Sequence, residues 1–189
     1  MKKIGLTLLG LLILVGFVLS MRMYQANDKY ETLEEAIYEA IPYQVEDVIY
    51  STEHDNITIV MYETIGNEQL FPGQKVEAVA FFKGNDTDGW ENVGFHGWTH
   101  YENEQFTVYS EPYRESDYAG NELHEFYVVF GKVNNPEITT IQTKDQNDEQ
   151  FEDAKLILHN GNLYYFQVGR GVIVRGLNEN GKVVDRQGG

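Results

Sequence analysis

The 189-residue chain has no cysteine, which excludes disulfides, thiolate metal sites, a cysteine nucleophile and a lipid-modified N-terminal cysteine. Its stability must therefore come from an ordinary packed core. Basic residues are also short, with 14 Lys and Arg against 30 Asp and Glu. Three of the basic residues (Lys2, Lys3 and Arg22) and none of the acidic ones precede position 24, so residues 24–189 hold 11 against 30, a formal charge of −19. DNA, RNA and anionic lipid surfaces all require a basic footprint, so this region is not built to bind them. The charge is compatible with a protein or cationic ligand outside the membrane, and equally with simple solubility.

Catalytic and cofactor motifs are missing too. Ser20, Ser51, Ser110 and Ser116 lack the Gly-x-Ser-x-Gly setting of an activated serine. His124-Glu125 belongs to no His-Glu-x-x-His pair, because position 128 is Val. The acidic turn at 85–89 fails the EF-hand template, since Gly84 stands where the first Asp belongs and Phe95 where the bidentate Glu belongs. Around Gly169-Arg170-Gly171 there is neither Walker spacing nor a following helix pattern to cradle phosphate. His96 and His100 are four apart in a segment patterned as a strand, roughly 13 Å from one another and too far to share an ion. No cofactor and no metal are expected.

One apolar run is present. After Met1-Lys2-Lys3, residues 4–21 carry no charge, enough for a helix of roughly 27 Å that spans a hydrocarbon core if Lys3 and Arg22 snorkel at its ends. Lysines before the run place residues 24–189 outside, as a single-pass anchored protein with an extracellular C-terminal part. The alternative is a secreted protein cleaved near Ser20, where Val18 and Ser20 suit a signal-peptide site.

The outer part is rich in aromatics, with 13 Tyr, 9 of the 10 Phe and 2 Trp, unlike a disordered acidic tail. Thr32-Leu33-Glu34-Glu35 predicts a capping box, and Leu33, Ala36, Ile37, Ala40 and Ile41 recur along one helical face until Pro42. The period then shortens to two over 45–50, 57–62, 76–82, 90–101 and 106–109, predicting an antiparallel meander covered by that helix. Small cystatin-like or NTF2-like folds share this order, an analogy of fold alone. Residues 111–123 lack either period and contain Pro112 and Gly120, so they are expected to connect two units. Beyond them, short strands at 126–133, 138–143, 154–158, 163–168, 172–177 and 182–185, with Asn-Gly turns at Asn160-Gly161 and Asn180-Gly181, predict a small β-sandwich of immunoglobulin-like type. The expected organisation is an anchor over 1–23, a helix-plus-meander unit over 24–110, a connection over 111–123 and a sandwich-like unit over 124–189. The expected fold class is α+β.

The Glu34-Glu35-Ala36-Ile37 helix, a Gly-Trp segment, the run Phe-Gly-Lys-Val-Asn-Asn-Pro-Glu-Ile at 130–138 and the closing Asn-Gly-Lys-Val-Val at 180–184 stand behind a short anchor. Together they resemble small exported proteins of Bacillus-type Gram-positive bacteria over most of residues 31–185. The resemblance implies localisation and fold, and no activity.

These readings lead to a non-catalytic protein that binds or modulates something at the cell surface. The alternatives are an enzyme acting on cell-envelope material and a structural accessory subunit of a membrane complex. An enzyme should bury convergent polar groups in a concave site, whereas a docking module should show an exposed apolar patch. For the latter, alternation along 90–101 sets Val93 and Phe95 toward the core and Trp90, His96, Trp98 and His100 on the opposite face. Those four form the candidate partner-binding surface, with packing of Trp98 under the helix or against the second unit as the competing reading.

Overall fold

The structure is a computed structural model that describes residues 29–65, 75–94, 99–101, 103–117, 119–169, 171 and 173–188. The anchor expected over 1–23 lies outside these residues, and among the described residues no helix is long and apolar enough to cross a membrane.

Thr32 caps helix α1 (Leu33–Ala40), its hydroxyl accepting from the Glu35 N–H at 3.1 Å. The Glu35 carboxylate reaches back to the Glu31 N–H at 2.9 Å, so one orphan donor of the first turn and the N–H just before the cap are satisfied. Thirteen strands follow among the described residues: β1 (Val45–His54), β2 (Ile57–Ile65), β3 (Lys75–Asn85), β4 (Gly89–Asn92), β5 (Thr99–Tyr101), β6 (Val108–Ser116), β7 (Glu122–Val133), β8 (Thr140–Lys144), β9 (Glu152–Asp153), β10 (Lys155–His159), β11 (Asn162–Val168), β12 (Ile173–Leu177) and β13 (Val183–Gln187). They form three antiparallel sheets: a first sheet of order β1-β2-β3-β4, a central sheet of order β10-β11-β7-β6-β5 and a third sheet of order β13-β12-β8-β9.

Two tight turns are built as the sequence implies. Asp55 and Asn56 take φ of 51° and 61°, and Asn160 and Gly161 take 47° and 79°. Two successive positive φ values give the hairpin geometry that matches strand twist.

Three apolar layers alternate with the elements. Ala36, Ile37 and Ile41 pack on Val60, Tyr62, Ala78, Ala80 and Phe82, the outer face of the first sheet. The inner face of that sheet, with Ile57, Ile59, Met61, Val79 and Phe81, meets Tyr109, Tyr113, Phe126, Val128, Phe130, Tyr164 and Phe166 of the central sheet. On the far side of the central sheet, Val108, Val129, Val133 and Tyr165 pack with Ile138, Ile141, Ala154 and Val174. The order is helix, first sheet, central sheet, third sheet.

The α+β expectation is corrected by this arrangement. The protein is mostly β, with one eight-residue helix among the described residues, and the predicted sandwich is not a separate layer pair. Its strands β7, β10 and β11 complete the central sheet with β5 and β6 from the first half. The physical reason is that β7 is apolar on both faces and must be covered twice. Residues 111–123, expected as a connection, lie in the β6–β7 hairpin, with Glu111 opposite Val128 and Glu115 opposite His124. The turn is held by Asp117, whose carboxylate accepts from the Ala119 and Asn121 N–H groups at 2.8 Å each.

The segment expected as one strand over 90–101 is two strands in different sheets, β4 and β5. Between them Gly94 passes so close to Phe81 that a Cβ there would lie 2.7 Å from its ring, which explains why a residue without a side chain stands at the crossing.

Because β7 serves two layers, adjacent substitutions on it test whether these are one cooperative unit. Phe130→Ala should cost about 3–5 kcal/mol and Val129→Ala about 2 kcal/mol. Each should lower the midpoint of a single unfolding transition seen alike by far-ultraviolet and tyrosine signals. Two separable transitions would contradict the shared core.

Candidate functional site

The layer between the first and central sheets is apolar along most of its length and turns polar at one end. On each strand the next inward residue after the apolar series changes type. Met61 gives way to Glu63 on β2, Val79 to Glu77 on β3, Tyr109 to Thr107 at the start of β6, Phe130 to Lys132 on β7, and Tyr164 to Asn162 on β11. These residues line a cleft of about 760 Å³ together with Lys75, Val76, Asn103, Glu104, Tyr109 and Asn134.

Across the first sheet, Asp47, Glu63 and Glu77 are successive register partners, so their Cβ atoms fall about 4.5–5.5 Å apart from strand to strand. Each is held from the central sheet. Asp47 Oδ2 lies 2.7 Å from His159 Nε2 and accepts from the Asn160 amide at 2.8 Å. The imidazole holds Asp47 below the ordinary carboxylate range, against a weaker effect of burial. Glu63 accepts from the Tyr164 hydroxyl at 2.8 Å, and Lys75 Nζ stands 3.3 Å from its other oxygen and 4.0 Å from Glu46.

Glu77 is the innermost of the three, 5% exposed. Burial pushes its carboxyl up from the ordinary value, opposed by a hydrogen bond from Tyr109 and by the charge of Lys132. The Thr107 hydroxyl lies 3.4 Å from Glu77 Oε2 and accepts the Lys132 N–H at 2.8 Å, tying the two walls together. Lys132 Nζ sits 5.9 Å from the centre of the Tyr164 ring. Among the described residues no carboxylate lies within ion-pair distance of it, and no three His, Asp or Glu are grouped to hold a metal.

A fourth carboxyl, Glu111, lies deeper in the same layer, on the β6 face between Tyr109 and Tyr113 and only 2% exposed. Burial pushes it up to about 8.

The four residues expected to form a partner surface are not assembled by what is described. Trp90 packs against the helix layer, donates its indole N–H to Asp86 at 2.7 Å, and pairs through its backbone with Tyr30. His100 pairs with Tyr109 through the backbone of β5. His96 and Trp98 lie outside the described residues. Among the described residues the large exposed hydrophobics are Tyr38, Tyr43, Ile65, Leu123, Leu158 and Val183, dispersed over the helix, its exit and four strands of three sheets.

Sequence reasoning treated the carboxylates as solvated surface and missed Glu63, Glu77 and Lys132. A signal was present. In the runs Ile-Thr-Ile-Val-Met-Tyr-Glu and Phe-Tyr-Val-Val-Phe-Gly-Lys, both charges occupy the inward phase of the alternation. No family model matches this chain, and neither does any curated protein or solved structure.

The Glu111 carboxyl sets a direction for pH dependence. Its proton is held more tightly in the fold than in the unfolded chain, so its contribution is full below the ordinary value of 4.5 and is lost as pH rises toward about 8. Glu77 acts in the same sense. Denaturant unfolding from pH 5 to 8.5 should therefore show falling stability. Glu111→Gln should flatten that slope and stabilise the protein by about 1–3 kcal/mol at pH 8. An unchanged slope in the variant would show that Glu111 does not carry it.

Proposed function

We propose that this chain is a membrane-anchored, extracytoplasmic, non-catalytic binding protein, and that the cleft between its first and central sheets holds a small polar ligand. One observation carries the reading. The strand ends of two packed sheets place charged and amide groups from β2, β3, β7 and β11 around one concavity of about 760 Å³, within the range of small-molecule sites. Among the described residues the exposed hydrophobics are dispersed rather than gathered into a docking face. The anchored, outward-facing location rests on the uncharged run at 4–21 and the lysines before it.

A second reading, an enzyme acting on cell-envelope material, is favoured by Glu77. Its carboxyl is buried and pushed up in a cleft, one strand from Glu63, whose oxygens are engaged by Tyr164 and Lys75. Environments that differ between neighbouring carboxyls are the raw material of acid–base chemistry.

Asn134 is exposed at the cleft rim, so Asn134→Trp should close the mouth without loss of folding. Full-length protein immobilised in mild detergent and washed with a low-molecular-weight cell-envelope extract should retain a small molecule, identified by mass spectrometry. Asn134→Trp should retain about tenfold less. Release of the molecule unchanged fits the binding reading, release in altered form fits the enzyme, and equal retention by the variant would remove the cleft from consideration. In wall-stripped intact cells, added protease should digest the part beyond residue 24. Protection of that part would contradict the outward topology.

A further inference from the structure

The cleft walls differ in charge. On the first-sheet side stand Glu63 and Glu77, and on the central-sheet side Lys132, with Glu104 exposed in the segment before β6. Lys75 and Glu63 offset each other at 3.3 Å, so the opposition left inside the cleft is between Glu77 and Lys132. Lys132 projects inward from β7, an interior strand of its sheet, and is half-buried. A lysine so placed ordinarily has an anionic partner. Glu77 feels its charge, yet among the described residues no carboxylate is within ion-pair distance of it. Two opposite charges thus face each other across a gap, on sheets whose backbones pack about 10 Å apart. Of the eleven described residues lining the cleft, Val76 is the one aliphatic side chain.

From this opposition we infer that the ligand of the cleft is a zwitterion of amino-acid or dipeptide size, its carboxylate on Lys132 and its ammonium toward Glu77. The inference rests on the reading of the cleft as the ligand site and goes further by naming the ligand's charge pattern. A simple anion satisfies Lys132 and is repelled by the carboxylate opposite. A simple cation satisfies that carboxylate and is repelled by Lys132. Only a molecule with both groups is attracted by both walls, and the amides of Asn134 and Asn162 at the cleft suit the backbone polarity of such a molecule.

The test uses the full chain in a non-ionic detergent, titrated calorimetrically and by amide NMR with alanine, alanyl-alanine, ethylamine, propionate and glucose. Ethylamine and propionate are alanine with one charged group removed. Alanine or alanyl-alanine should bind at least tenfold more tightly than either half-molecule and shift the signals of Asn134 and Asn162. Lys132→Met should abolish that preference at unchanged thermal midpoint, and Lys132→Arg should keep it. Half-molecules or glucose that shift cleft signals as strongly as the zwitterions would overturn the inference and leave the cleft as a ligand site. If no probe shifts a cleft signal, both readings fall.

Discussion

Strand β7 is buried on both faces, and the rest of the architecture depends on covering it. Phe126, Val128 and Phe130 face the first sheet, while Val129 and Val133 face the third. A strand with that pattern cannot sit at the surface of a two-layer sandwich, because one apolar face would remain in water. The flanking strands show the same division, with Tyr164 and Phe166 turned one way and Tyr165 the other. Close approach adds to the constraint. A Cβ on Gly131 would lie 2.1 Å from the Thr107 carbonyl, so β7 and the chain entering β6 are joined as tightly as backbone permits. Tyr109 stacks on Phe130 at 5.3 Å, and Phe81 of the first sheet meets both Tyr113 and Phe126 at 5.2 and 5.9 Å. Aromatic contacts therefore clamp the first sheet to the central one.

The cleft follows from where this clamp ends. Apolar residues close the two sheets together over most of their length. At the strand ends the inward positions pass to Glu63, Glu77, Thr107, Lys132 and Asn162, which are worth more to the fold hydrated or hydrogen-bonded than packed. The sheets stay joined there by polar ties: Asp47 to His159 and Asn160, Glu63 to Tyr164, and Thr107 between Glu77 and Lys132. Further along the edge of the same two sheets, Lys155 Nζ lies 2.9 Å from the Tyr50 hydroxyl and 4.4 Å from its ring centre. A recess walled by hydrogen-bonded charges, behind which stands a rigid aromatic core, is a preorganised place for a polar molecule.

Much of the local structure was legible. The Thr32 cap, the helical spacing of Ala36 and Ile37, the Asp55-Asn56 and Asn160-Gly161 turns and nearly every strand follow from short-range rules that act within a few residues. Charge and the lack of cysteine likewise limited partners and chemistry without reference to shape. Pairing was not legible, because alternation says which face a residue occupies and not which strand lies beside it or which sheet lies opposite. Residues 111–123 read as a linker since they lack either period and contain Pro112 and Gly120, while Glu111, Tyr113 and the match to β7 showed their meaning only in the pair. The same limit hid the cleft. Glu63, Glu77 and Lys132 are ordinary charged residues in a strongly acidic chain until two sheets bring them to opposing walls. Sequence alone determined the capped helix, most of the strands, the tight turns and the acidic character of the protein. Only the tertiary structure decided that one sheet serves two cores and that its polar end lines a cleft, because both depend on burial between residues far apart in the chain.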